Sequence, residues 1–98
     1  MAKALFTAVT TAAGAQTAIA LGKGVHTFML TSTAGTTGAT VLLQGSNDNV
    51  SFELMATFTL SGASDLAGIG LDVPWPYVRG NITALAGATP SISMTVEE

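Results

Sequence analysis

Between Ser51 and Leu60 the chain alternates strictly. Phe52, Leu54, Ala56, Phe58 and Leu60 fall on one face, and Ser51, Glu53, Met55, Thr57 and Thr59 on the other. A period of two is what a half-buried strand requires, and it fits no helix. The same pattern sets Phe28 and Leu30 against Val25, Thr27 and Met29. Near the end, Ile92, Met94 and Val96 point inward while Ser91, Ser93 and Thr95 point out. Frequent Thr, Val, Ile and Phe, broken at short intervals by glycine, extend this reading to most of the chain.

Strands are predicted at Ala4–Val9, Gln16–Leu21, Val25–Thr31, Thr40–Gln44, Ser51–Leu60, Ile69–Val73, Tyr77–Ala84 and Ser91–Val96. Breaks fall at Gly14, Gly22–Gly24, Gly35–Gly38, Ser61–Asp65 and Gly87–Pro90. Thr7–Ala20 has enough alanine to suit a helix, although its threonines and Gly14 weaken that reading. The first 14 residues could also form an extended arm reaching away from the core. About eight short strands with apolar faces to cover predict an all-β, two-sheet sandwich, jelly-roll-like, in one domain spanning residues 1–98. No internal repeat or linker interrupts it.

Composition changes the picture in one respect. The chain has 98 residues, no cysteine and one histidine, so neither disulfides nor a Cys-based metal staple can reinforce it. A domain of this size buries only about 60–65% of its unfolded surface, which favours oligomerisation or docking as the added support. Charged residues make up 9% of the chain, against roughly 25% in ordinary soluble domains. Thr, Ser, Ala and Gly take their place and suit close packing against protein. The net charge is −3, and the cations Lys3, Lys23 and Arg79 are scattered, which argues against nucleic acid. Apolar runs are interrupted well short of the ~18 residues of a membrane span. The threonines after Lys3 break any signal-peptide core, so no targeting segment is predicted.

Candidate chemistry is sparse. His26 lies in the apolar run VHTFML, with no Ser or Asp in a recognisable relation to it, so a hydrogen-bonded structural role is expected. Scattered acids give no sign of a catalytic pair. No enzyme, cofactor or metal is predicted. The polar knot GSNDN brings Asn47, Asp48 and Asn49 together, and Asp65 or Asp72 could join them around calcium. The spacing lacks the alternating acids of a dedicated site. Asn and Asp are also the preferred residues of turns with positive φ, so a hairpin corner between Thr40–Gln44 and Ser51–Leu60 is the better reading. In VPWPYVRG, Trp75 sits between two prolines in an extended segment. Exposed, Trp75 and Tyr77 could stack on a sugar. Buried, Trp75 would plug one end of the sandwich, and that role is favoured. Arg79 is expected to pair with Glu53, with Asp72 or with a partner across an interface. Asn81-Ile82-Thr83 matches the glycosylation sequon, a frequent chance match.

LLQGSNDNVSFELMATFTLSG followed by VPWPYVRGNITALAG resembles the small β-sandwich structural proteins of tailed bacteriophage particles. There, a strand ending in a GSnDg-like turn precedes an aromatic-rich strand, a YVR-type strand and a final alternating strand. The resemblance covers residues 39 to 96. Discoidin-type carbohydrate- or lipid-binding sandwiches share the turn and an aromatic-x-Arg strand. This chain departs from the usual turn at Asn49, where Gly is common, and at Phe52, where Trp is common. It is also shorter than a discoidin domain and lacks bracketing cysteines, which favours the phage group. That resemblance implies a virion protein made in the bacterial cytoplasm and placed on the phage head surface. Its role there would be a capsid decoration (cement) protein or, less in keeping, a head–tail or fibre-associated piece. The implied partners are the major capsid protein or other virion proteins and further copies of itself. A glycan is the discoidin-like alternative. Candidate contacts for a partner or ligand are Asn47, Asp48, Asn49, Trp75, Tyr77 and Arg79.

Overall fold

The computed structural model describes residues 2–22, 24–33, 35–61 and 66–97. Among them are nine strands and no helix: β1 (Ala2–Val9), β2 (Gly14–Ala15), β3 (Ile19–Ala20), β4 (Gly24–Ser32), β5 (Thr36–Ser46), β6 (Glu53–Leu60), β7 (Leu66–Val73), β8 (Tyr77–Gly87) and β9 (Ile92–Glu97). They form two antiparallel sheets. One runs β1-β9-β4-β7, and the other runs β2-β8-β5-β6 with β3 also on β8.

This order has a simple origin. Paired residues lie nearly equidistant along the chain from Asn49: Ala2 faces Glu97, Ile19 faces Val78, Gly24 faces Val73 and Gln44 faces Leu54. The chain is one long hairpin doubled at Asn49, with successive strand pairs placed in alternate sheets. Ladders from β4 to β9 and from β5 to β8 then join the pairs within each sheet. The result is the jelly-roll-like sandwich that the strand pattern predicts.

Inward faces follow the alternation almost throughout. Phe28, Leu30, Val41, Leu43, Val78, Ile82, Ile92, Met94 and Val96 are fully buried between the sheets. Each such aliphatic or aromatic side chain contributes about 1.5–3 kcal/mol on leaving water. His26, half-buried on the inward phase of β4, sets its ring nitrogens against the carbonyl oxygens of Glu97 (3.1 Å) and Gly22 (2.5 Å). It stitches together chain segments in the way expected of a structural histidine.

Four expectations need correction. The alternation of Ser51–Leu60 does not persist: Leu43 faces Ala56 but Gln44 faces Leu54, so Met55 is an extra residue in a β-bulge. Phe58 and Leu60 stay inside, whereas Leu54 turns out and Met55 packs on the core. The strand expected at Gln16–Leu21 is two short pieces, β2 and β3, held on β8 between them by Gln16 N–H to Gly80 O (2.8 Å). Residues 2–9 are not an arm reaching away. Leu5 and Phe6 are buried, and Phe6 crosses to Gly80 so closely that a Cβ there would lie 2.6 Å from its ring. Finally, the Gly35–Gly38 break is shorter than expected because β5 already begins at Thr36. That buried hydroxyl donates to Ser91 O (3.2 Å) and accepts from Ser91 N–H (3.0 Å), bolting the second sheet to the lead-in of β9.

Candidate functional site

The GSNDN corner is closed from within. Ser46 Oγ donates to Asp48 Oδ1 (2.9 Å) and accepts the N–H groups of Asp48 (3.2 Å) and Asn49 (2.9 Å). Asp48 Oδ1 also accepts from Val50 N–H and Ser51 N–H, both at 2.9 Å. The Ser51 and Val50 amides, followed by the Ser46 hydroxyl, hold the Asp48 carboxyl below its ordinary value. Asn49 takes φ 60°, a left-handed conformation that Asn tolerates better than most residues. The knot is a hairpin corner, and Asp48 is spent on holding it. Asp65, a proposed companion of Asp48, lies outside the described residues. Asp72 sits in the other sheet, opposite Val25.

The PWP segment enters at the same end, because Val73 closes β7 and Tyr77 opens β8 opposite Ser46. Trp75 is half-buried and covers the inward side of Gly45. A Cβ at Gly45 would meet ring atoms Cε3 at 2.5 Å and Cδ2 at 2.8 Å, with Met55 Sδ at 2.9 Å. Trp75 therefore plugs the sandwich end. Tyr77 lies on the opposite, outward phase of β8, so the two rings do not present one platform.

Arg79 is the candidate residue whose surroundings differ most from expectation. It pairs with neither Glu53 nor Asp72. Its Nε–H donates to Gln44 Oε1 (2.8 Å), and its guanidinium carbon lies 3.7 Å from the centre of the Phe52 ring. Register explains this: Leu54, Gln44 and Arg79 stand side by side across β6, β5 and β8 on the outward face. Phe52, Leu54 and Gln44 are the members of this candidate site that sequence reasoning missed. Only the bulge at Met55 puts Leu54 there, and alternation alone gives no sign of it.

This end also gathers the charge. Lys3, His26, Asp48, Glu53, Asp72, Arg79 and Glu97 all lie toward it, while the far ends of the same strands carry no ionisable side chain among the described residues. Val50 (79% exposed) and Leu54 (56% exposed) add apolar surface. No cavity opens among the described residues, so the candidate site is a surface.

No known protein family and no curated protein matches the chain. Solved structures do. The crystal structure of PBSX exported protein XepA aligns with a TM-score of 0.68 and 15% identity, over 98% of this chain and 36% of that one. That of SPBc2 prophage-derived protein YomS aligns with a TM-score of 0.65 and 8% identity, over 98% of this chain and 90% of that one. Both neighbours are phage-derived. At such identities the likeness is one of fold. The chain spans little more than a third of XepA but nearly all of YomS.

Proposed function

We propose that the chain is a non-enzymatic structural protein of a bacteriophage particle, and within that class a capsid decoration protein that cements the assembled head. The observation that carries this reading is the sandwich shared along nearly the whole chain with two phage-derived proteins. The turn and strand motifs of the sequence point to the same group independently. A protein that binds only the assembled shell shifts the equilibrium toward the intact form, by about 2.7 kcal/mol per site at a hundredfold excess over Kd. Many weak contacts repeated around a lattice reinforce one another. A compact, weakly charged sandwich whose described residues carry their ionisable groups toward one end suits such placement, since low charge lets surfaces pack without electrostatic conflict.

The test is whether the protein co-purifies with virions, and at how many copies relative to the major capsid protein. Decoration predicts a fixed stoichiometry near a lattice number and a higher thermal disruption temperature of heads when the protein is added. A monomer that neither binds purified heads nor raises that temperature rules the reading out. A handful of copies per particle would instead favour a head–tail or fibre-associated place.

A further inference from the structure

We infer that Arg79 is a preformed receptor for a single carboxylate, presented beside an apolar side chain by a partner protein. This inference deepens the structural role proposed above and rests on it for the partner's identity.

Arg79 is the only arginine in the chain. One of its five donors, Nε–H, is used on Gln44, and one face of its guanidinium lies on Phe52. These two contacts fix both the position and the plane of the group. Its terminal Nη1 and Nη2 donors have no partner among the described residues. A fork so held has already lost the rotamer freedom that a flexible cation gives up on binding. Its remaining donors match the two oxygens of a carboxylate side by side.

The surroundings decide between anions. Asp48 and Glu53 lie at the same end, and the chain is net negative, which disfavours phosphate-rich polymers that need clustered cations. One carboxylate brings one charge. Leu54 exposes apolar surface on the same outward row as Arg79, across Gln44, and Val50 exposes more at the corner. Arginine is among the residues enriched at interface hot spots, and the apolar surface of Leu54 on the same row offers area for a partner to bury. The complementary surface is therefore an Asp or Glu with an aliphatic neighbour.

The experiment titrates the isotopically labelled protein with a blocked leucyl-glutamate dipeptide, with its leucyl-glutamine counterpart and with inorganic phosphate. Saturable shifts of the Arg79 Nε–H and Leu54 methyl signals are expected with the glutamate peptide, at least about tenfold weaker with the glutamine peptide. Arg79→Gln should abolish the Leu54 shifts. Arg79→Lys, which keeps the charge and loses the fork, should weaken binding about tenfold. Leu54→Ser, which leaves the guanidinium and its two contacts in place, should weaken it severalfold and guards against misfolding of the arginine variants. Equal binding of both peptides, or binding that survives Arg79→Gln, overturns the inference. So does phosphate binding as strong as that of the glutamate peptide, which would make the site a general anion contact. Head binding by the same variants is measured separately. Wild-type protein that takes the glutamate peptide but ignores heads counts against the cement role alone.

Discussion

The indole of Trp75 rests directly on the backbone of Gly45, because a Cβ at that position would stand 2.5 Å from ring carbon Cε3. Two flanking prolines stiffen the segment that delivers the ring. The atoms in the way include Cδ2 at the ring fusion, so the whole indole would have to move. Gly45→Ala should therefore cost about 1–3 kcal/mol. That loss lowers the melting temperature by roughly 4–8 °C per kcal/mol in a domain of this size. Thermal unfolding followed by tryptophan fluorescence would show it, with a red-shifted folded-state emission as the indole is pushed outward.

Asp48 makes the central corner sensitive to acid. Its native carboxyl is held below the ordinary value, so the unfolded chain takes up the proton first. The corner's contribution is thus fully present above the ordinary carboxylate pKa and is lost as pH falls through the lowered native value. Asp48→Ala should remove that contribution at neutral pH and flatten the acid dependence of the denaturation midpoint. Equal acid sensitivity in the variant and the wild type would contradict this account of the turn.

Asn49 carries the conformation on which the whole hairpin doubles. Asn49→Gly should be neutral or slightly stabilising, since glycine adopts φ 60° without steric cost. Asn49→Val should cost about 1–2 kcal/mol or more, because a β-branched side chain resists the left-handed region. Urea unfolding of the pair measures the difference.

Thr36 links the two sheets through a buried hydroxyl that both donates to and accepts from Ser91. Thr36→Val keeps the shape but strands the Ser91 N–H, while Ser91 O keeps its bond from Thr33 N–H (3.0 Å), at an expected cost of about 1–3 kcal/mol. Thr36→Ser keeps the bonds and should cost less. Amide exchange at Ser91 should quicken in the valine variant and not in the serine one.

Ala8 is, among the described residues, the other non-glycine residue with positive φ, at 50°, in the irregular stretch of β1 between Phe6 and Val9. Its N–H is held by Ser93 Oγ at 2.9 Å, which fixes the strained conformation. Ala8→Gly should stabilise the fold by up to about 1 kcal/mol, the relief of left-handed strain less the extra unfolded-state entropy of glycine. A lower melting temperature in this variant would mean that the strain is not real.

Local pattern and long-range register were not equally legible in the sequence. Phe28 and Leu30, and Ile92, Met94 and Val96, were readable as inward because each lies in an unbroken run with period two. Leu54 was misread because a single bulged residue, Met55, reverses the phase, and a bulge leaves no mark on a binary pattern. The corner at Asp48 and Asn49 was legible from turn chemistry alone, since its bonds are local. Arg79 was not. Its neighbours Gln44 and Phe52 are brought to it by strand pairing across β5, and matching charges along the chain pointed instead to Glu53 and Asp72.

A chain doubled about its own midpoint brings its two ends home together. Ala2 and Glu97 lie opposite each other on adjacent strands, at the same end of the sandwich as the Asn49 corner. Any segment attached before the first strand or after the last would leave the body from that shared doorway, and the opposite end would stay clear of it. The same adjacency allows the old ends to be joined by a short linker and new ones opened at Asn49. Along the gene β6–β9 would then come before β1–β5, around a sandwich that keeps every ladder.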